Sequence, residues 1–131
     1  MGLQSYRDLI AWQKAMDLVE RAYRVTRTWP SDERYELTSQ VRRAVVSVPA
    51  NIAEGQGRSG SKELLHHLSI ASGSLHEAET DFLIAKRLGY LDGQTCDRLL
   101  QHTAEVGRLL YGLRRSIASR ASRRQTIAPD D

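Results

Sequence analysis

The amino-acid sequence predicts an all-α protein, an antiparallel up-down-up-down bundle of four helices. Four segments repeat apolar residues at alternating spacings of three and four, the period of one helix face. The connections between these segments are short and contain proline, glycine or capping residues, and no segment alternates like a β-strand. Short connections make consecutive helices antiparallel neighbours, so the pattern predicts the bundle topology as well as the fold class.

The first predicted helix runs from about Tyr6 to Thr28 and carries two apolar stripes, which lie roughly 120° apart by the 3.6-residue period. One stripe consists of Leu9, Trp12, Met16, Val19 and Tyr23, and the other of Ala11, Ala15, Leu18, Ala22 and Val25. A helix that is apolar over most of its circumference is buried on more than one side. We therefore expect one side to face the bundle and the other to face a second subunit. The expected subunit interface comprises Trp12, Ala15, Leu18, Ala22 and Val25.

The second predicted helix begins at Ser31, a good N-cap that follows the helix-terminating pair Trp29-Pro30. It contains Pro49, which removes one backbone hydrogen bond at a cost of about 3 kcal/mol or more. We expect the segment around Pro49 to be a corner built for packing, with a nearby Ser or Asn side chain compensating the carbonyl of Val45.

The third predicted helix follows a glycine-rich turn, begins near Ser61 and ends at Leu88-Gly89, a C-terminal glycine stop. Asp92 or Thr95 is positioned to cap the fourth helix. After about Ser119 little apolar surface remains to be buried, so we expect disorder there. The predicted organisation is a four-helix bundle over residues 1–118 and a basic disordered tail over residues 119–131.

The charge distribution is uneven along the 131-residue chain, whose net charge is +3. Residues 1–113 contain 14 Lys/Arg and 14 Asp/Glu, whereas residues 114–127 contain five arginines and no acid. These arginines are Arg114, Arg115, Arg120, Arg123 and Arg124. A basic arm of this kind is typical of a protein with a polyanionic partner, and it is equally compatible with a solvated chain end.

Several functional classes find no support in the sequence. It contains no P-loop, no Gly-x-Ser-x-Gly and no zinc-type Cys/His set, and its single Cys96 is interpreted as a packed thiol. Glu63 and His66 form one Glu-x-x-His pair, but Leu99 stands where the glutamate paired with His102 would be, so a di-iron site is incomplete. We expect no enzyme activity, no cofactor and no bound metal. Without a signal segment or a run of 18 apolar residues, we also expect no membrane insertion and a cytoplasmic location.

Basic residues therefore dominate the candidate sites. In an antiparallel bundle the N-terminus, the turn between helices 2 and 3 and the C-terminus fall at the same end. Arg58 and Lys62 lie there, beside a helix N-terminus suited to an anion. Arg42 and Arg43 lie within helix 2, where they either contact phosphates or pair with acids such as Glu77 or Glu79. The predicted nucleic-acid-binding set is Arg42, Arg43, Arg58, Lys62, Arg114, Arg115, Arg120, Arg123 and Arg124.

Extended motifs in the chain closely resemble those of the 23S ribosomal-RNA intervening-sequence proteins, a four-helix-bundle family that includes the accessory variability proteins of diversity-generating retroelements. The matching runs are residues 9–15 (LIAWQKA), Pro30 with Glu33, Tyr35 and Leu37, residues 40–44 (QVRRA), 47–55 (SVPANIAEG), Gly57-Arg58, residues 70–75 (IASGSL) and 85–91 (AKRLGYL). The resemblance implies a ring-like homo-oligomer, typically a pentamer. For the retroelement branch it also implies binding to nucleic acid and to a reverse transcriptase through basic surfaces.

The sequence and the resemblance together predict a non-enzymatic, homo-oligomeric accessory protein that binds RNA or DNA through backbone phosphates. The alternative is a protein-interaction scaffold that does not bind nucleic acid. In that case the apolar stripes form interfaces, and the arginines only solubilise the chain.

Overall fold

The protein is formed by four α-helices: α1 (Ile10–Thr26), α2 (Leu37–Gln56), α3 (Ser61–Arg87) and α4 (Gly93–Ile127). Our structure is a computed structural model that describes residues 5–127, with side chains to residue 123. Single turns of 3₁₀-helix precede α1 at Tyr6–Asp8 and α2 at Ser31–Glu33. No strand occurs within residues 5–127, so the predicted all-α class with four helices is confirmed.

The helix ends show which residues define each boundary. The backbone of Leu9 is extended, with φ −72° and ψ 127°, so the first predicted helix is divided into a 3₁₀ turn and α1. Helix α2 starts at Leu37 rather than at Ser31, and a Glu33 carboxylate oxygen accepts a hydrogen bond from the Leu37 amide at 3.2 Å. At the start of α4, Asp92 Oδ1 accepts the Thr95 amide at 2.7 Å, so Asp92 is the cap.

Helix α4 continues well beyond the expected end of the bundle. Residues 119–127 are helical, so their expected disorder is wrong, while residues 128–131 lie outside the described part of the chain. The reason is local: residues 114–127 contain no glycine or proline and consist mainly of residues with good or neutral helix propensity. Ile117 is buried and Ala121 is partly buried, which extends the apolar stripe past Leu113. The proposed boundary between residues 118 and 119 therefore falls inside a helix.

The alanine-rich stripe of α1 faces the core of the single chain. Ala15, Leu18 and Ala22 are fully buried within one protomer. They offer no surface to a second copy, so assigning them to a subunit interface is wrong. Their small side chains allow neighbouring helices to approach α1 closely, whereas Trp12 and Val25 are only partly buried. The two apolar stripes of α1 are similar in hydrophobicity, so hydrophobicity alone does not show which one faces the core. The packing of the helices shows that the alanine-rich stripe does.

Helices α2 and α3 meet in a close contact with a polar seam beside it. Gly55 is buried against α3, where an added Cβ would lie 2.8 Å from the Cβ of His67. Further along the same contact, the Ser74 hydroxyl donates to the Ser47 hydroxyl at 2.8 Å. Nδ1 of His67 lies 3.0 Å from Oδ1 of Asn51, which places a hydrogen bond between these side chains. The Asn51 amide donates to the Ser47 carbonyl at 2.9 Å, so it does not compensate the carbonyl of Val45 as expected.

A second cluster secures the connection between α1 and α2 to the end of α3. The ring of buried Trp29 packs on the ring of Tyr90 with a centroid distance of 5.9 Å. The Tyr90 hydroxyl donates to Oε2 of Glu33 at 2.7 Å, while Oε1 of Glu33 accepts the first amide of α2. This contact raises the pKa of Tyr90, because Glu33 accepts a hydrogen bond from the protonated phenol and repels its anion. One carboxylate therefore connects three segments of the chain.

Asp81 is a buried acid in α3. It follows His67 and Ser74 at intervals of seven residues and therefore shares their side of the helix, towards α2. Only 4% of Asp81 is exposed, and its Oδ2 has no hydrogen-bond partner among the described residues. Burial, with a smaller contribution from the nearby charge of Glu77, raises the pKa of Asp81 from 3.8 to about 6. The ionised form is therefore disfavoured in the folded protein.

Replacing Asp81 by Asn tests this burial. Because the folded-state pKa lies above the unfolded value, the stabilisation from the neutral acid is complete below pH 3.8 and is lost as pH rises through about 6. We expect Asp81→Asn to gain thermal stability relative to wild type as pH rises from 4 to 8. Unfolding curves for both proteins across that range measure the difference. A stability difference between the two proteins that does not vary with pH would contradict the raised pKa of Asp81.

Candidate functional site

Arg42 has a structural role between α1 and α2. Its Nε donates to the Thr26 hydroxyl at 2.9 Å, and its guanidinium carbon lies 4.6 Å from the centroid of the Tyr23 ring. Thr26 is buried and donates in turn to the Ala22 carbonyl at 2.8 Å. The guanidinium is therefore engaged on two sides and is poorly placed to contact a phosphate. Its partners belong to α1, and neither is an acid of α3.

Arg43, the next residue, is exposed on the outer side of α2. Neither Arg42 nor Arg43 lies near the expected basic end of the bundle. Fourteen residues separate Arg42 from Gln56 at the end of α2, which is about 21 Å along the helix axis. The structure therefore does not bring Arg42 and Arg43 together with Arg58 and Lys62.

Arg58 and Lys62 flank the connection between α2 and α3, where the sequence places them. Arg58 Nη2 lies 2.8 Å from Oε2 of Glu54, one helical turn earlier, and both side chains are about half exposed. An exposed pair of this kind contributes about 0–1 kcal/mol, so Arg58 remains free to exchange its partner for an anion. Lys62 is exposed in the first turn of α3.

The arginines of α4 lie on several sides of the helix. Arg114 donates to the Ser72 hydroxyl of α3 at 3.3 Å, while Arg115 packs over the ring of Tyr111 at 5.8 Å. Arg120 and Arg123 are exposed. The side chain of Arg124 lies outside the described residues. Because α4 is helical through this region, these charges are spaced along a rigid rod rather than a flexible arm.

A basic groove that the sequence analysis did not identify lies between α1 and α4. Its charged lining comes from Arg21 and Arg24 of α1 and from Arg98 and His102 of α4, around a cavity of about 200 Å³. Thr95 adds a hydroxyl to the lining, and Val25 and Leu99 add apolar surface. No acidic residue lines this cavity. We call it the α1–α4 groove.

The pKa of His102 reflects the charges around this groove. Burial lowers its pKa from 6.5, and the positive charges of Arg21 and Lys14 lower it further, against the opposing effect of Glu105 and Asp17. The local field therefore disfavours an additional positive charge. Sequence reasoning missed the groove because its residues come from two helices, at positions far apart in the chain. The spacing of the arginines on α1 and α4 could have indicated the groove, but the same spacing is typical of a solvated helix face.

The remaining candidate groups have packing roles or no partners suited to chemistry. Cys96 is fully buried, its thiol lies 3.8 Å from the Phe82 carbonyl oxygen, and burial raises its pKa. His66 is exposed with its ring beside that of His67. Within residues 5–127, no group of three or more His, Cys, Asp or Glu side chains is placed to hold a metal ion. The described helices also include none that is both long and apolar enough to cross a membrane.

The fold defines a four-helix-bundle protein, and comparison with known proteins identifies its family. The chain belongs to the 23S rRNA-intervening sequence protein family, whose model matches residues 7–112. It is similar to the 1.70 Å crystal structure of a protein of unknown function from the S23 ribosomal protein family of Bacteroides thetaiotaomicron VPI-5482. That similarity has a TM-score of 0.73 at 20% identity and covers 80% of this chain and 98% of the other. No curated protein gives a significant match.

The family match separates two groups of residues. Glu33, Ser47, Asn51 and Gly55 lie within the matched range and form the internal contacts described above. The arginines from Arg114 onward lie beyond residue 112, outside that range. The matched range therefore includes residues with packing roles, together with Arg98 and Arg108 of α4, and it ends before Arg114.

Arg42 and Arg43 provide a matched test of structural and exposed arginines. We expect Arg42→Ala to lower the free energy of unfolding by about 1–3 kcal/mol, because it removes a hydrogen bond and a cation–π contact. Arg43→Ala should change it by less than about 0.5 kcal/mol. Urea unfolding of both variants measures these values. Equal effects would show that the contacts with Tyr23 and Thr26 do not stabilise the fold.

Proposed function

We propose that this protein is a non-enzymatic, cytoplasmic accessory protein that binds RNA or DNA through backbone phosphates. Phosphate contacts supply affinity and position but carry no base information, so binding would follow charge and shape rather than sequence. The protein partner implied by the retroelement branch of the family is a reverse transcriptase, and we keep it as part of the proposal.

One observation carries this proposal: the C-terminal part of α4 is a helical, acid-free arginine segment. Residues 106–127 contain six arginines and no Asp or Glu. They are Arg108, Arg114, Arg115, Arg120, Arg123 and Arg124. Because the helix already orders the backbone of these residues, binding to phosphates costs less backbone entropy than it would for an unstructured segment. The same segment as a flexible tail would have to be ordered on binding.

The contacts between helices support an antiparallel arrangement that brings this segment to the α2–α3 connection. Asn51 pairs with His67 and the earlier Ser47 pairs with the later Ser74, so chain order reverses between α2 and α3. Ile127 lies thirteen residues beyond Arg114, about 20 Å along α4. We infer that the end of α4 lies near Arg58 and Lys62 and that these residues form one basic end.

We also propose a ring-like homo-oligomer, with five subunits as the expected number. Support comes from large apolar side chains that remain exposed on the outside of α2 and α3, including Val46, Ile70 and Ile84, which are 39–41% exposed. A ring places the basic end of every protomer on one face, and this raises avidity without new contacts. These same apolar residues favour the second candidate, a protein-interaction scaffold without nucleic-acid binding.

A charge-matched pair of variants tests the proposal. One variant replaces three exposed arginines of α4, Arg115, Arg120 and Arg123, by Gln. The control replaces three exposed arginines elsewhere, Arg27, Arg34 and Arg87, by Gln. We expect only the α4 variant to bind nucleic acid weakly. The slope of its log affinity against log salt concentration should be flatter by about 0.7–0.9 for each lost phosphate contact.

Fluorescence anisotropy with structured RNA, single-stranded DNA and duplex DNA across salt concentrations measures both effects. Wild-type protein that binds none of these ligands at low salt would overturn the proposal and favour the scaffold. Equal losses of nucleic-acid affinity in the two variants would show that binding depends on net charge and that the α4 segment has no special role.

A further inference from the structure

We propose that the α1–α4 groove is a binding site for a phosphate group. Three guanidinium groups, those of Arg21, Arg24 and Arg98, line one cavity of about 200 Å³ together with the imidazole of His102. A liquid water molecule occupies about 30 Å³, so the space admits a phosphate and part of the molecule that carries it. That the phosphate belongs to a nucleic acid rests on the function proposed above. That the groove binds a phosphate group does not.

No acidic residue lines the groove, but Asp92 lies near it: its pKa is lowered mainly by the hydrogen bonds with Thr95 and further by the charge of Arg98. Arg21 and Arg98 have no ion pair among the described residues, and the pair between Arg24 and Glu20 is long, at 3.5 Å, with both side chains about two-thirds exposed. An incoming dianion would displace this weak pair at little cost. Arginine offers paired N–H donors in a plane that matches two phosphate oxygens, so this residue type suits the ligand.

The acids near the groove are engaged or lie outside its lining. Asp92 is held as the cap of α4, where its carboxylate accepts the Thr95 amide. Asp17 and Glu105 act on His102 from positions outside the cavity lining, as does Lys14 with the opposite sign. Thr95 lies in the first turn of α4, whose helix dipole adds partial positive charge at this end of the cavity.

The pKa of His102 is lowered by burial and by the charges that surround the groove, so it provides a probe of that field. Arg21 and Lys14 disfavour its protonation, and a bound phosphate would reverse that field. The other three histidines, His66, His67 and His76, do not line the groove and serve as internal references.

Histidine NMR titration of the full chain tests the site. The pKa of His102 is measured with inorganic phosphate, with a short single-stranded oligonucleotide, and with sodium chloride at equal ionic strength. We expect phosphate to raise the His102 pKa more than chloride does and to leave the reference histidines at their chloride values. No phosphate-specific change at His102 would overturn the site.

A variant pair measures the contribution of the arginines. Arg98→Ala should weaken phosphate binding about tenfold, the loss that corresponds to one charged hydrogen bond. Arg34→Ala removes the same charge at an exposed position outside the groove lining and should leave phosphate affinity unchanged. Equal phosphate affinities for the Arg98 and Arg34 variants would also overturn the site.

The oligonucleotide arm separates this inference from the proposed function. If oligonucleotide and phosphate both shift His102, the groove binds strand phosphates. If phosphate shifts it and the oligonucleotide does not bind at all, the groove stands as a site for small phosphates while the proposed function fails. If the oligonucleotide binds the protein and neither ligand shifts His102, the groove is overturned while the proposed function stands.

Discussion

The close approach of α2 and α3 at Gly55 is the constraint on which the rest of this structure depends. An added Cβ at Gly55 would lie 2.8 Å from the Cβ of His67 and 3.0 Å from Cδ1 of Leu64. With the helices this close, only one register places Asn51 beside His67 and Ser47 beside Ser74. These side chains are partly buried, and the hydrogen bonds between them favour this register over its neighbours. Helix α4 then packs against both α3 and α1.

This constraint also explains the role of residues 47–55, which form packing contacts with α3. The segment around Pro49 is predicted to be a corner built for packing, and in the structure Ser47, Asn51 and Gly55 all contact α3. These three residues lie within the range that the family model matches. The groups free to meet a ligand are arginines elsewhere, on the end of α4 and in the α1–α4 groove. In our proposal, the residues that bind a ligand are therefore largely distinct from those that form the contact between α2 and α3.

The sequence was sufficient for the number of helices and the fold class, because periodicity is a local property, and it narrowed the cap of α4 to Asp92 or Thr95, of which the structure shows Asp92. It was insufficient for the inward stripe of α1, since Ala15 and Leu18 differ from Trp12 in packing and not in hydrophobic spacing. The expected disorder after Ser119 was wrong because a segment with few apolar residues can still continue a helix that is already nucleated. Arg42 and the α1–α4 groove depend on partners many residues away, which no local pattern reveals.

The most direct test of this account compares two glycine-to-alanine variants by thermal unfolding. Gly55→Ala should lower stability by about 1–3 kcal/mol, because the added methyl group forces α2 and α3 apart. Gly73→Ala, in the interior of α3 with no heavy atom within 4 Å of its ideal Cβ position, should raise stability by up to about 1 kcal/mol. Opposite signs at the two positions would support the close approach at Gly55. A stabilising effect of alanine at both would show that the contact does not constrain the fold.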